Sequence, residues 1–316
     1  MENKQCKIIF FGTPEFSAII LDKLINNRLK PIAVVTAPDK PEGRKKTLSP
    51  SQVKKLCLKK NIRVFQPAFL RNNAQIVEKL SNLNPNLFIV AAYGLILPLK
   101  ILNIPHNGCV NIHPSLLPKY RGASPIQQTI LNGDKKTGAT LILMDEKMDH
   151  GPIIGQKELK EKIEKINYPE LSAKLAILSA NLLIDVLPKF LAKKIKITKQ
   201  DHKQATFVKR INKLDGRIDW MKSASEIERM TRAYYPWPGA WTLLAAKKLK
   251  IIHVEILKIN HKKQPGTIFY AKNKIPAVAC GKNALMLKKI QLAGKNIITG
   301  KEFANGYSRL FNVVMQ

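Results

Sequence analysis

The chain has 316 residues, 45% of them apolar, and carries 54 Lys and Arg against 22 Asp and Glu, a formal net charge of +32 at pH 7. That apolar share supports a substantial core and the length favours two domains, while the longest apolar runs, such as residues 87–92, are far too short to cross a membrane. Lys4 and Lys7 precede only four apolar residues before Gly12, which does not make a secretory signal, so a cytoplasmic location is expected.

The charge is the loudest feature of the composition. Part of the lysine is surface filling, but solubility needs far less of it, and a field of this sign attracts polyanions, nucleic acid first. Cys6, Cys57, Cys109 and Cys280 lie far apart with no C-x-x-C spacing. Lone buried thiols are expected rather than a zinc site or disulfides.

Residues 7–12 read as a buried first strand ending in a glycine turn. Thr13 is placed to cap the next helix, with Pro14 at its first position and Glu15 in its first turn. Phe16, Ile19, Ile20, Leu24 and Ile25 give that helix an apolar stripe, and residues 31–37 follow as a second strand. The G-x-G-x-x-G fingerprint of a dinucleotide site is missing, so NAD is not inferred. Residues 38–50 hold three prolines, a glycine and a basic run, and read as a long exposed loop. It is either a phosphate-contacting loop or a solvated one.

Helices are expected at 53–60, 73–82 and 126–131, and strands at 62–65, 87–92 and 139–144. Strands alternating with helices imply a parallel, doubly wound α/β sheet. Within it, residues 109–113 form a strand that Pro114 must end. Asn111 and His113 point to one face and Val110 and Ile112 to the other. An amide and an imidazole therefore sit at the carboxyl end of a strand, where open α/β sheets bind ligands.

An amide can donate to an oxygen gaining negative charge, a His can shuttle a proton, and Asp149 can orient the imidazole or join the relay. No side-chain nucleophile is needed if the substrate brings its own amine. The same three residues can equally be a turn cap, a strand-end His and a turn Asp. His150, beside Asp149, matches neither H-x-x-x-H nor H-E-x-x-H, and no metal is expected.

Residues 171–190 read as a long amphipathic helix, and the lysine-crowded stretch 191–210 as a basic linker. Beyond it come a helix at 225–234 and short β-like runs at 249–259, 266–270, 277–280 and 285–291, which suggest a small, mostly β barrel. Trp237 and Trp241 suit base stacking or core packing alike. The expected division is thus 1–190, 191–210 and 211–316.

From Gly12-Thr13-Pro14-Glu15-Phe16, through the block from Asn111 to Gly122 and Asp149, to Asp215-Gly216-Arg217-Ile218-Asp219-Trp220 and Pro236-Trp237-Pro238, the chain resembles the methionyl-tRNA formyltransferase family. This is one branch of the 10-formyltetrahydrofolate-dependent formyltransferases. The catalytic trio and Ser115-Leu116-Leu117-Pro118 belong to the whole superfamily; the two-domain length, the Arg44 loop and the basic charge point to the tRNA branch.

The resemblance implies a Rossmann-like catalytic domain, a linker, and an OB-like β-barrel domain that binds tRNA. It also implies transfer of the formyl group of 10-formyltetrahydrofolate to the α-amino group of methionyl initiator tRNA, by a monomer, with no metal and no membrane. Asn111, His113 and Asp149 would be catalytic. Ser115, Leu116, Leu117 and Pro118 would lie against the folate, and Leu95, Ile96 and Leu97 would line its pterin pocket. Arg44, Lys45 and Lys46 would contact the tRNA acceptor end. Lys45 departs from the second glycine that many members carry.

Overall fold

The computed structural model describes residues 6–42, 47–271 and 274–315. The chain folds as two compact units. The first comprises Met1–Pro125, Lys136–Glu161 and Ser172–Val208; the second comprises Ile126–Lys135, Lys162–Leu171 and Lys209–Gln316.

In chain order the elements that build the first unit are β1 (Ile8–Gly12), α1 (Glu15–Asn26), β2 (Ala33–Val35), β3 (Lys40–Glu42), β4 (Thr47–Ser49), α2 (Gln52–Lys59), β5 (Arg63–Phe65), α3 (Ala74–Ser81), β6 (Leu87–Ala91), α4 (Leu99–Leu102), β7 (Cys109–His113) and β8 (Arg121–Gly122). Then come α5 (Pro125–Asn132), which falls almost wholly in the second unit, β9 (Gly138–Leu143), β10 (Ile153–Glu158), α6 (Tyr168–Leu191), whose first turn up to Leu171 belongs to the second unit, and β11 (Phe207–Val208).

The main sheet runs β10-β9-β7-β6-β1-β2-β5. Five strands, β5, β2, β1, β6 and β7, are parallel, as the alternation of strands and helices predicts. All five residues of β1 and of β6 are buried, which is why both read as unbroken apolar runs. Ile9, Phe11, Val35, Phe88 and Val90 share one core cluster, with Phe11 tilted against Phe88 at 4.9 Å between ring centres.

Three local expectations are corrected. Thr13 does not cap α1: its hydroxyl donates to the Tyr93 carbonyl at 2.9 Å, and Pro14 occupies the cap position. The 38–50 stretch is not wholly loop, because β3 and β4 pair antiparallel from Lys40↔Ser49 to Glu42↔Thr47. Strands of three residues are too short for any periodicity to reveal. Asp39 anchors their entry, accepting from Lys54 Nζ at 2.7 Å and from Gln66 Nε2 at 2.8 Å; the Lys54 bond, then Gln66, holds its carboxyl below its usual range.

The third correction is the direction of the last strands. β9 runs antiparallel to β7, and β10 antiparallel to β9, so the sheet is not parallel throughout. Side-chain alternation carries no directional information, and only the path of the connection sets it.

α6 has the length and hydropathy of a membrane span, but 56% of its most apolar window is buried within the protein. It lies close over β10 at Gly155, where an added Cβ would come within 2.9 Å of Val186. Cys57, Cys109 and Cys280 are buried free thiols, which burial pushes up to about 11, 12 and 12.

The second unit holds α7 (Ala224–Ala233), β12 (Ala240–Leu244), β13 (Lys247–Leu257), β14 (Ile268–Tyr270), β15 (Pro276–Ala279), β16 (Ala284–Leu292), β17 (Ile297–Thr299) and α8 (Gly300–Gly306). Its antiparallel sheet runs β12-β13-β16-β15-β14, with β17 pairing Lys289, Ile290 and Gln291 of β16 beyond the β15 pairing. Register shifts between Ile251 and Val254 bend β13, and the sheet curls into an OB-like half-barrel. α7 starts at a capping box of Ser223 and Glu226. Trp220 is buried and donates to Thr242 at 3.0 Å, while Trp237 is 53% exposed and contributes no core.

Candidate active site

β7 ends at His113, as Pro114 requires. Val110 and Ile112 are buried on one face, and Asn111 and His113 both reach Asp149 on the other. Because β9 is antiparallel, its end lies beside the beginning of β7, with Leu143 opposite Val110. The 144–152 loop must therefore travel back along the sheet to bring Asp149 over β7. It is tied down at its base by Met144 N–H to the Cys109 carbonyl at 2.8 Å and Leu143 N–H to Pro152 at 2.9 Å.

Three hydrogen bonds and one close approach define the geometry. Asn111 Nδ2 donates to Asp149 Oδ1 at 3.0 Å, and the Gly122 N–H donates to Asp149 Oδ2 at 2.8 Å. His113 Nδ1 stands 3.4 Å from Asp149 Oδ1, and His113 Nε2 lies 2.9 Å from the Tyr120 carbonyl. A carbonyl only accepts, so Nε2 carries a proton. Nδ1 is then the ring nitrogen left to exchange one with Asp149 or a substrate. His113 is 4% exposed.

The turns that supply these groups are held in uncommon backbone conformations. Tyr120 has φ 65° and Asp149 φ 50°, the left-handed region. Gly122 has φ 118°, and a Cβ there would lie 2.2 Å from the Val208 carbonyl oxygen, so only glycine fits.

The remaining expected site residues fall in different settings. Ser115 is buried, its hydroxyl donating to the Lys119 carbonyl at 2.5 Å. Leu117 is buried, with Leu116 and Pro118 partly so. Thr140 stitches this segment down: its hydroxyl donates to the Ser115 carbonyl at 2.6 Å and accepts from Leu117 N–H at 3.1 Å and Gln156 Nε2 at 2.9 Å. Thr140→Val keeps the shape and strands the Ser115 carbonyl and the Leu117 N–H. A loss of roughly 1–3 kcal/mol for each is expected in urea unfolding, and an unchanged midpoint would contradict it.

Leu97 belongs to the core, whereas Leu95 and Ile96 are exposed, Ile96 at 76%. A cavity of about 760 Å³ opens at the other end of β7, lined by Leu99, Leu102, Cys109, Met144, Asp145 and others, and takes in none of the expected folate residues. Arg44, Lys45 and Lys46 lie outside the described residues.

Sequence reasoning missed the groups that hold the site: the Tyr120 carbonyl, the Gly122 N–H, and Arg121 and Gln200. Arg121 is buried, donating through Nε and Nη2 to Gln200 Oε1 at 3.2 and 2.6 Å, and through Nη2 to His202 Nδ1 at 2.8 Å. His202 stacks on His150 at 4.1 Å, and His150 Nδ1 lies 2.6 Å from Asp145 Oδ2. Partial desolvation, then His150 and Arg121, hold the His202 imidazole below its usual range. A buried arginine with a fixed fork was signalled only by the block Lys119-Tyr120-Arg121-Gly122.

An amide donor, a proton-carrying imidazole and a carboxylate, converging at a parallel sheet's rim without a side-chain nucleophile, suit transfer of an acyl-type carbon to an incoming amine. Fold and site define a protein of the formyl-transfer class: residues 6–187 match the family described as Formyl transferase, and residues 210–308 match Formyl transferase, C-terminal domain.

A methionyl-tRNA formyltransferase of Thermodesulfovibrio yellowstonii is 44% identical over 299 residues, 95% of each chain. That of Clostridium novyi is 41% identical over 302 residues, 96% of this chain and 97% of the relative. The chain belongs to the methionyl-tRNA formyltransferase family. An N-formyltransferase of Helicobacter canadensis, solved with folinic acid and dTDP-3-aminofucose, shares the fold with a TM-score of 0.63 at 19% identity, covering 89% of this chain and 99% of its own.

Proposed function

We propose that this protein transfers the formyl group of 10-formyltetrahydrofolate to the α-amino group of methionine esterified to initiator tRNA, in the cytoplasm. The observation that carries the reading is the convergence of Asn111, His113 and Asp149 in a chain that belongs to this family over almost its full length.

The neutral methionyl amine attacks the formyl carbon, and a C–N bond forms as the carbonyl oxygen becomes negative. Asn111 has two amide hydrogens, one of which is on Asp149; the other is available to that oxygen. His113 Nδ1, beside Asp149, accepts the amine proton and relays it toward folate N10. The proton leaves with folate N10 as the C–N10 bond breaks. Tyr120 and Gly122 hold the imidazole and carboxylate in place, so little reorganisation is required during the reaction. Ser115, Leu116, Leu117, Pro118, Leu95, Ile96 and Leu97 are proposed to flank the folate, and Arg44, Lys45 and Lys46 the acceptor end of the tRNA.

The C-terminal part of the chain, residues 211–316, which supplies most of the second unit, is proposed to bind tRNA phosphates. Its surface supports this. Lys248 sits 4.1 Å over the Trp241 ring with Lys250 and Lys213 as cationic neighbours, and desolvation, then those two lysines, holds its ammonium below the usual range.

The test is to supply 10-formyltetrahydrofolate and methionyl-tRNA and measure alkali-labile formylmethionine. Product is expected, and its absence with both substrates saturating would overturn the reading. In the same assay Arg44→Ala should weaken use of charged tRNA and leave folate binding intact.

A further inference from the structure

The stretch between the two family matches, which reads in sequence as a connecting segment, is built into the site. From Thr198 to Val208 it lies in the first unit and crosses both turns that hold the catalytic groups. Thr198 pairs with Ile153 through two backbone bonds of 2.8 and 2.9 Å. Gln200, 6% exposed, then donates through Nε2 to two carbonyls of the catalytic loop, Asp149 at 2.9 Å and Gly151 at 2.7 Å. Its Oε1 accepts from Arg121, so both ends of the amide are spoken for and its orientation is unambiguous.

Six residues on, the Thr206 hydroxyl accepts from the Tyr120 N–H at 2.8 Å and the Thr206 carbonyl from the Arg121 N–H at 2.8 Å. β11 continues alongside β8, Phe207 beside Arg121 and Val208 beside Gly122.

These contacts meet the catalytic groups at fixed points. The left-handed backbone at Asp149 and at Tyr120 is strained and persists only where surroundings over-determine it. Gln200 supplies that constraint for the turn carrying the carboxylate. Thr206 supplies it for the turn whose Tyr120 carbonyl orients His113 and whose Gly122 N–H holds Asp149. A displacement of about 1 Å in such groups can cost as much as 10²-fold in rate.

We infer that Gln200 and Thr206 are positioning residues for formyl transfer, acting on the 149 and 120–122 turns respectively and so making the 198–208 segment part of the catalytic site. The inference rests on the roles proposed above for His113 and Asp149.

The experiment uses the full-length protein and four substitutions. Gln200→Glu keeps the length and still accepts from Arg121, but a carboxylate cannot donate to two carbonyls. Thr206→Val loses the hydroxyl that Thr206→Ser retains. Gln200→Glu and Thr206→Val are expected to lower kcat by about 10- to 100-fold with KM for both substrates within about twofold, and Thr206→Ser to recover most of it. Placed in an Asp149→Asn background, Gln200→Glu should add little, because it acts through Asp149.

Wild-type kcat for Gln200→Glu, beside a strongly impaired Asp149→Asn, would overturn the positioning role of Gln200 and leave the site reading intact. Equal loss in Thr206→Ser and Thr206→Val would overturn the role of the Thr206 hydroxyl. Wild-type turnover by Asp149→Asn would overturn the site reading and this inference with it.

Discussion

Asn111→Ala is expected to fold as the parent does and to lose about 10²–10³-fold in kcat, the usual effect of removing one oxyanion donor. The side chain is only partly buried, and its one described bond is to Asp149. Truncation leaves no large cavity, because Val110 and Ile112 form the core face of the strand. The loss should fall on kcat and leave KM for folate and tRNA nearly unchanged, since the bond it removes strengthens only as the oxygen becomes negative. Circular dichroism and an unfolding curve would check the fold, and single-turnover formylation the chemistry. Parent-like turnover would remove Asn111 from the reaction.

The second large effect is on proton transfer. His113→Ala should lower kcat by about 10²–10⁴-fold, the range that a positioned general acid or base contributes. The ring offers only Nδ1 to a substrate, because Nε2 is committed to the Tyr120 carbonyl. Asp149→Asn presents the same bulk, but cannot accept the Gly122 N–H, the Asn111 amide and a proton at Nδ1 as a carboxylate does. It should also be strongly impaired. Groups that act as one unit are non-additive, so the double variant His113→Ala, Asp149→Asn should be scarcely worse than His113→Ala alone. Losses that simply multiply would mean that Asp149 works elsewhere than through the imidazole.

Much of the first unit was legible because its signals are local. The all-buried strands β1 and β6 are continuous apolar runs, and α2 and α3 begin at Ser51 and Asn73, each of which accepts from an N–H three residues on. The same holds for β7, where alternation aligned Asn111 with His113 and Pro114 ended the strand. What escaped is what alternation cannot encode. β9 reads the same in either direction, β3 and β4 are too short to have a period, and β10 with only two of its six residues apolar gives little contrast.

By itself the sequence determined the alternating α/β order, the two chemical side chains on one face of β7, the strongly cationic surface and the membership that its motifs announce. These follow from spacing within a few residues and from composition, both of which survive without coordinates. Only the tertiary structure decided that β9 reverses, that the 144–152 loop folds back so that Asp149 meets a partner 38 positions earlier, and that Gln200 returns from 51 positions later to hold that loop. Contacts at such separations depend on the path of the whole backbone and on the burial that stabilises it, and no local periodicity reports either.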